Sequence, residues 1–432
     1  MSNNVTFLKG NPRACALECL HDWENSTTYA HEIFGYQADR YELKPVDRGL
    51  AKELLFGTLR HLSFLDKIID ELRKKGSLKM SARCLLRLGV YQIFQTKIAD
   101  HAAVHETVNL ARKHERPLVN AILRNAIRQQ ENFVGKSKNW TPAERYSHPA
   151  FLIERWTAEF GEDTAAALCE WNNTPPPVYA RIHDEEGYHE RLNRVQSETV
   201  QGTVGDSTGY SPEPVAGFPE FIKLPSGPLP TEWIESGTIY IQDPSTSLAC
   251  WLLAPQPDEL ILDTCAAPGG KTIQLASMAP AGTKIIATDS NPKRIERMEE
   301  NFSRMQIEGV TTREVDWTRP SQKQLTELPR FDAILLDVPC SNTGVMRRRV
   351  DVRWRLRPSD FAELAALQLK ILKNAMRVLK PDGRIVYSTC SIDPEENRKL
   401  VESCGLKIVE IRETVPWKDG VDGAFTVLLR PH

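Results

Sequence analysis

No apolar run in this 432-residue chain approaches the roughly 18 consecutive residues that a membrane-crossing helix needs. The first residues, MSNNVTFLKGNPR, lack a basic stretch followed by an apolar one, so no secretory leader is expected. Nine cysteines are present, an odd number, and none is paired in C-x-x-C spacing. That excludes the usual zinc frameworks and argues against a disulfide scaffold. Reduced thiols, a cytoplasmic location and no metal are the expectation. No internal repeat and no low-complexity tract is evident, which removes solenoids and disordered tails from consideration.

What is present is an ordinary globular mixture, with 41% hydrophobic and 26% charged residues. At roughly 100–200 residues per domain, the length predicts two to four domains. The net charge of −2 hides an uneven distribution. Residues 1–140 carry 22 Lys/Arg against 15 Asp/Glu, a net of +7, whereas residues 141–240 carry 6 against 16, a net of −10. A basic front third suggests a nucleic-acid partner there, although a solvated helical surface gives the same count.

The chain divides into three parts by pattern. Residues 1–138 read as a bundle of helices, with Leu50, Leu54, Leu55 and Leu59 on one helix face and Leu85, Leu88 and Ile93 on another. Residues 139–236 contain three consecutive prolines (Pro175, Pro176, Pro177) and a Gly/Pro/Ser cluster between Gly202 and Pro230; they read as a small α+β module. From residue 237 to 432 short apolar strands alternate with amphipathic helices, including one from about Ser359 to Leu379, which predicts a parallel, doubly wound sheet.

Three constellations in the last part carry chemistry. In Asp263-Thr-Cys-Ala-Ala-Pro-Gly-Gly-Lys271 an apolar strand enters a turn of small residues and a helix leaves it. Such a turn lets a ligand approach backbone N–H groups at the helix start. Asp289 ends the next strand, where an acidic side chain can accept both hydroxyls of a ribose. The pattern is neither G-x-G-x-x-G nor the G-x-x-x-x-G-K-[ST] phosphate loop, which argues against NAD and ATP and for an adenosine cofactor without a polyphosphate. The second and third constellations, FDAILLDVPCSNTG and GRIVYSTCSIDPEEN, place Cys340 and Cys390 just past the ends of two predicted strands. Open α/β sheets hold their ligand crevice there, and two neighbouring strands would point both thiols into one pocket. A lone cysteine is most often a small buried hydrophobe, which is the reading for Cys15, Cys19, Cys84, Cys169, Cys250 and Cys404.

A fourth feature is the run from Arg347 to Arg357. Arg347, Arg348, Arg349, Arg353, Arg355 and Arg357 meet one acid, Asp351, with Trp354 among them. Arginine grips phosphates bidentately and Trp stacks on bases, so Arg347, Arg348, Arg349, Arg353 and Trp354 are predicted to contact RNA.

The motifs Cys265-Ala-Ala-Pro-Gly-Gly-Lys271, Asp337-Val-Pro-Cys340-Ser and Ser388-Thr-Cys390-Ser resemble those of the RNA cytosine-C5 methyltransferases of the Nol1/Nop2/Sun family. Tyr146-Ser-His-Pro149 with Trp156, and Ile241-Gln-Asp243, look like that family's markers in the middle module. Asp47-Arg48-Gly49 and Ala121-Ile-Leu-Arg124-Asn125 look like the NusB-type helical RNA-binding domain of the bacterial Fmu/Sun branch. The resemblance covers nearly the whole chain. It implies an all-α NusB-like bundle, a small α+β module and an α/β Rossmann-like class I methyltransferase domain. It further implies S-adenosyl-L-methionine as cofactor and a cytosine of 16S ribosomal RNA as target, with no membrane and no obligate protein partner.

By the same resemblance Cys265, Ala266, Ala267, Pro268, Gly269, Gly270 and Lys271 line the cofactor. Asp289 takes the ribose, Asp316 lies near the adenine, and Asp337 stands between cofactor and base. Cys390 is implied as the nucleophile and Cys340 as the residue assisting release, roles that the residues alone leave exchangeable. The chain departs from the family pattern at Val338, at Arg347-Arg-Arg-Val350-Asp351, at Arg181-Ile-His183 and at Asp422-Gly-Ala-Phe425; none touches a thiol or the glycine turn. The alternatives are a tRNA cytosine-C5 methyltransferase and a non-catalytic NusB-like RNA-binding factor. An amino-methylating enzyme would need an N/D-P-P-[YF] loop where this chain has Asp-Val-Pro-Cys.

Overall fold

The computed structural model describes residues 9–73, 76–200 and 211–432, with side chains left out for 194–200. The opening eight residues and part of the Gly/Pro/Ser cluster, 201–210, lie outside the described residues. The chain forms two compact units, one of residues 1–175 with 346–356, the other of 176–345 with 357–432. The division falls inside the run of three prolines, where backbone N–H groups are missing and φ is restricted.

The first unit is helical throughout. Its early helices span Pro12–Glu24, Ala30–Arg40, Pro45–Arg60, Leu62–Leu72, Met80–Gln95, Asp100–Leu110 and Arg116–Arg128. Asn11 caps the first of these through its side-chain oxygen, which accepts from the N–H groups of Arg13 and Ala14 at 3.0 Å. Leu54, Leu55 and Leu59 are fully buried in one core with Leu65, Ile68, Leu85 and Leu88. The predicted helix faces are therefore the core faces. Gly57 permits the closest crossing: a Cβ there would lie 1.9 Å from the Tyr91 hydroxyl oxygen. The helices Ala150–Phe160 and Glu162–Asn172, which composition groups with the middle module, belong to this unit.

The second unit holds two sheets. Strands β1 (Tyr179–Ile182), β2 (Glu213–Val215), β3 (Phe218–Lys223) and β4 (Ile239–Ile241) form an antiparallel sheet in the order β2-β3-β1-β4. The larger sheet contains β5 (Leu260–Asp263), β6 (Lys284–Asp289), β7 (Val310–Glu314), β8 (Phe331–Asp337), β9 (Leu379–Thr389), β10 (Lys407–Thr414) and β11 (Ala424–Arg430). Its order is β10-β11-β9-β8-β5-β6-β7, so the progression reverses direction at β5 and β8. Strands β8 and β9 are buried on both faces, as their unbroken apolar runs Ala-Ile-Leu-Leu and Ile-Val-Tyr require.

The expected all-parallel sheet is corrected at one edge. Strand β11 runs antiparallel to both β9 and β10. The connection from Thr414 to Ala424 is too short for the dozen or more residues of a parallel crossover, so the chain must turn back on itself. The helix predicted at about Ser359 to Leu379 runs from Asp360 to Met376. No helix among the described residues is long and apolar enough to cross a membrane.

Candidate active site

The site occupies the C-terminal edge of the large sheet around the reversal. Asp263 ends β5, Asp289 ends β6, Asp337 ends β8, and Cys390 follows the last residue of β9. A sheet of this order opens a crevice here, because the helices after β5 and β8 depart to opposite sides.

The turn after β5 is built by backbone bonds. The Ala266 N–H donates to the Thr288 carbonyl at 2.9 Å, and the Gly269 N–H to the Ala266 carbonyl at 2.7 Å. Gly269 has φ +100°, and a Cβ on it would stand 2.8 Å from the Phe302 ring. Both the backbone conformation and the packing therefore demand glycine. Lys271, in the first turn of the following helix, reaches across to Asp337 with Nζ 2.7 Å from Oδ2. Burial lowers the ammonium's proton affinity, and Asp337 more than restores it.

Asp263 is fully buried. Its Oδ2 accepts from the Thr272 hydroxyl at 2.7 Å, while its Oδ1 has no partner among the described residues. Burial is the main reason its carboxyl is pushed up to about 7, with the charge of Asp337 adding to it. Asp289 is also buried; Oδ1 accepts from the Asn291 N–H at 3.0 Å and Oδ2 lies 3.2 Å from Arg294. Asp316, just past β7, is held below the ordinary carboxylate range, first by the Thr318 hydroxyl at 2.6 Å. Its other oxygen takes Arg319 at 3.1 Å, so both oxygens are engaged within their own turn.

Strands β8 and β9 are hydrogen-bonded neighbours, with Asp337 opposite Ser388. The condition for one shared pocket is thereby met: the sulfurs of Cys340 and Cys390 lie 3.2 Å apart. Asn342 accepts from the Cys390 thiol at 3.3 Å through Oδ1 and donates to the Cys340 carbonyl at 2.8 Å through Nδ2. The Cys340 thiol is held well above its usual range, first by its contact with the Cys390 sulfur and then by burial. The six cysteines read as core residues are buried, whereas Cys265, Cys340 and Cys390 are only partly so. Burial pushes the Cys265 thiol up to about 12.

The cofactor expected from the motif fits these side chains. A methyl sulfonium donor with an ammonium group brings positive charge, and the sheet edge offers Asp263 with an unpartnered buried oxygen beside Asp289 and Asp337. Asp263 was not among the expected site residues. A charged residue closing a strand that is otherwise apolar was the available signal.

The arginine run belongs to the other unit and is corrected in part. Arg353 is fully buried: its guanidinium donates to Ser147 O at 3.2 Å, Asn172 O at 3.0 Å and Asn173 Oδ1 at 2.8 Å. Burial lowers its pKa to about 9. The Trp354 indole donates to the Leu59 carbonyl at 2.8 Å and packs on the helical core. Arg353 thus faces inward and presents nothing to RNA, while Trp354 is half-buried with its indole N–H turned to the helical core. The backbone acceptors they use, Ser147 O, Asn172 O and Leu59 O, lie at or just past the ends of helices, where carbonyls have no partner within the helix. Arg347 lies over the Trp171 ring at 4.1 Å and donates to Pro175 O at 2.8 Å, and Arg349 is exposed.

Three family models match the chain: the NusB family over residues 10–128, the ferredoxin-like domain of RsmF/B-like methyltransferases over 148–206, and 16S rRNA methyltransferase RsmB/F over 250–422. The ribosomal RNA small subunit methyltransferase B of Pasteurella multocida (strain Pm70) is 37% identical over 422 residues, covering 90% of each chain. The solved protein PH0851 shares the fold at TM-score 0.75 and 22% identity, over 97% of this chain and 98% of its own. A methyltransferase homolog protein from Pyrococcus horikoshii matches at TM-score 0.56 and 25% identity, over 68% of this chain and all of its own.

Proposed function

The chain belongs to the 16S rRNA methyltransferase RsmB/F family, and from that premise we propose that it methylates C5 of a cytosine in 16S ribosomal RNA, through a covalent adduct on Cys390. The observation that carries the chemistry is the pair of sulfurs 3.2 Å apart at the ends of neighbouring strands. S-adenosyl-L-methionine, when bound, supplies an electrophilic methyl group, and Asp263, Asp289, Asp316 and Asp337 with the turn 265–271 are the residues to hold it.

Cytosine C5 is a weak nucleophile. The Cys390 sulfur bonds to C6, the C5–C6 π electrons move to C5, and C5 becomes enamine-like. Once C5 carries the new methyl group, a base takes the C5 proton, the C5–H electron pair re-forms the C5–C6 double bond, and the C6–S pair departs on the Cys390 sulfur as thiolate. Cys340 touches the Cys390 sulfur at 3.2 Å, within proton-transfer reach of the departing thiolate, and is the residue to assist its release. Asp337, held by Lys271, stands at the pocket floor to bond the base edge. The target base must leave its stack to enter, so a single-stranded or loop site is the fitting substrate.

The free thiols support action in the cytoplasm. The test is methyl transfer from labelled S-adenosyl-L-methionine to unmodified 16S RNA, with tRNA in parallel. Label in tRNA alone would keep the chemistry and move the substrate. RNA binding without label would leave a binding factor.

A further inference from the structure

Beneath the two cysteines lies a fully buried carboxylate that the reaction above does not use. Glu396 is 0% exposed. Its Oε2 accepts from the Ser341 N–H at 2.9 Å and from Gln368 Nε2 at 2.7 Å, and its Oε1 accepts from the Ser391 hydroxyl at 2.7 Å. Ser341 follows Cys340 and Ser391 follows Cys390, so one carboxylate ties down both cysteine-bearing turns.

We propose that Glu396 is a positioning residue for the thiol pair: its carboxylate locks the two cysteine-bearing turns together and so keeps the roles of Cys340 and Cys390 apart. The proposal rests on the two-cysteine reading given above.

The supporting shell closes around Glu396. Gln368 Nε2 also donates to the Pro339 carbonyl at 2.9 Å, the residue just before Cys340. The Tyr387 hydroxyl reaches Gln368 Oε1 at 3.0 Å and the Glu396 carbonyl at 2.7 Å. Thr343 and Ser341 join Ser391 through hydroxyl contacts of 3.2 and 3.0 Å. All three donors to the carboxylate are neutral, so its charge is satisfied by hydrogen bonds and not cancelled by a cation. The charged or titratable groups around Cys340 include Cys390, Glu396 and Tyr387, with the buried Asp393 accepting from the Thr343 hydroxyl at 2.6 Å; Lys271, paired with Asp337, acts on the Cys390 side. A negative charge near a thiol disfavours the thiolate. Two cysteines equally free to ionise would have no fixed division of roles.

Glu396→Gln tests this with little disturbance of shape. The amide oxygen can accept from Ser341 and Gln368, and the amide nitrogen can donate to Ser391. The readout is alkylation of Cys340 and Cys390 by iodoacetamide between pH 6 and 10, located by peptide mass spectrometry on the full-length protein. In Glu396→Gln the Cys340 rate at pH 8 is expected to rise about tenfold, a midpoint lowered by about one unit. The turnover for methyl transfer should fall, with the RNA KM little changed.

Ser391→Ala keeps the carboxylate but cuts its tie to the Cys390 turn, so turnover should fall at little-changed RNA KM. It stands in if Glu396→Gln does not fold. An unchanged Cys340 profile in folded Glu396→Gln, or unchanged turnover in Ser391→Ala, would overturn the proposal. If wild-type protein methylates neither 16S RNA nor tRNA while the alkylation shift is present, the reaction assigned above fails and the positioning role remains.

Discussion

The sulfur of Cys340 stands 3.2 Å from that of Cys390, although 50 residues separate them in the chain. The pairing of β8 with β9 brings them together, and Asn342 bonds to both residues. Two thiols in contact at a strand end suit the proposed reaction, which forms and then breaks a carbon–sulfur bond. Cys390→Ala is expected to abolish methyl transfer. Cys340→Ala is expected to build up a protein–RNA adduct that survives denaturing gel electrophoresis. Adduct in Cys390→Ala and none in Cys340→Ala would exchange the two roles.

Lys271 and Asp337 form an ion pair with Lys271 mostly buried. Lys271→Met leaves the Asp337 carboxylate without its cation and is expected to lower stability by about 1–3 kcal/mol. Weaker cofactor binding should accompany it. Urea unfolding of Lys271→Met, Asp337→Asn and the double variant would show a double loss smaller than the sum of the singles, because the partners share one interaction.

Asp263 makes stability depend on pH. Its folded pKa, about 7, lies above the ordinary carboxylate value of 3.8, so between these limits the folded state holds a proton that the unfolded chain releases. The stabilisation is therefore complete below about pH 4 and is lost as pH rises through 7, with a slope of at most about 1.4 kcal/mol per unit. Asp263→Asn should flatten that part of the profile and be the more stable protein at pH 8. Thermal unfolding from pH 5 to 8 would show it. Parallel profiles for the two proteins would contradict the burial argument.

The arginine run separates into two kinds of residue. Arg353→Met strands two buried acceptors, Ser147 O and Asn172 O, and the half-buried Asn173 Oδ1, and is expected to destabilise the helical unit by about 3 kcal/mol. Arg349 is exposed, and Arg349→Ala should leave stability unchanged. It should weaken RNA binding across sequences and reduce the slope of log affinity against log salt by about one. Filter binding at several salt concentrations distinguishes the two.

Much of the molecule was legible before any coordinates. Leucines at helical spacing marked the core faces of the front helices, and Leu54, Leu55 and Leu59 are indeed fully buried. The small-residue turn, the acid twenty residues beyond it and the two cysteines were visible because strand ends and helix starts have local signatures. The direction of β11 was less so, since a single apolar strand reads alike in either orientation.

Element types, the glycine turn and the pair of cysteines are legible along the chain, because propensity, periodicity and short motifs act over a few residues. Long-range packing sets the rest: β8 and β9 are neighbours, Glu396 bonds beneath both thiols, and Arg353 points inward. Arginine has the same charge on a surface as against a helix end. Which it does depends on whether carbonyls such as Ser147 O and Asn172 O face it, and such partners are supplied by residues some two hundred positions away in the chain.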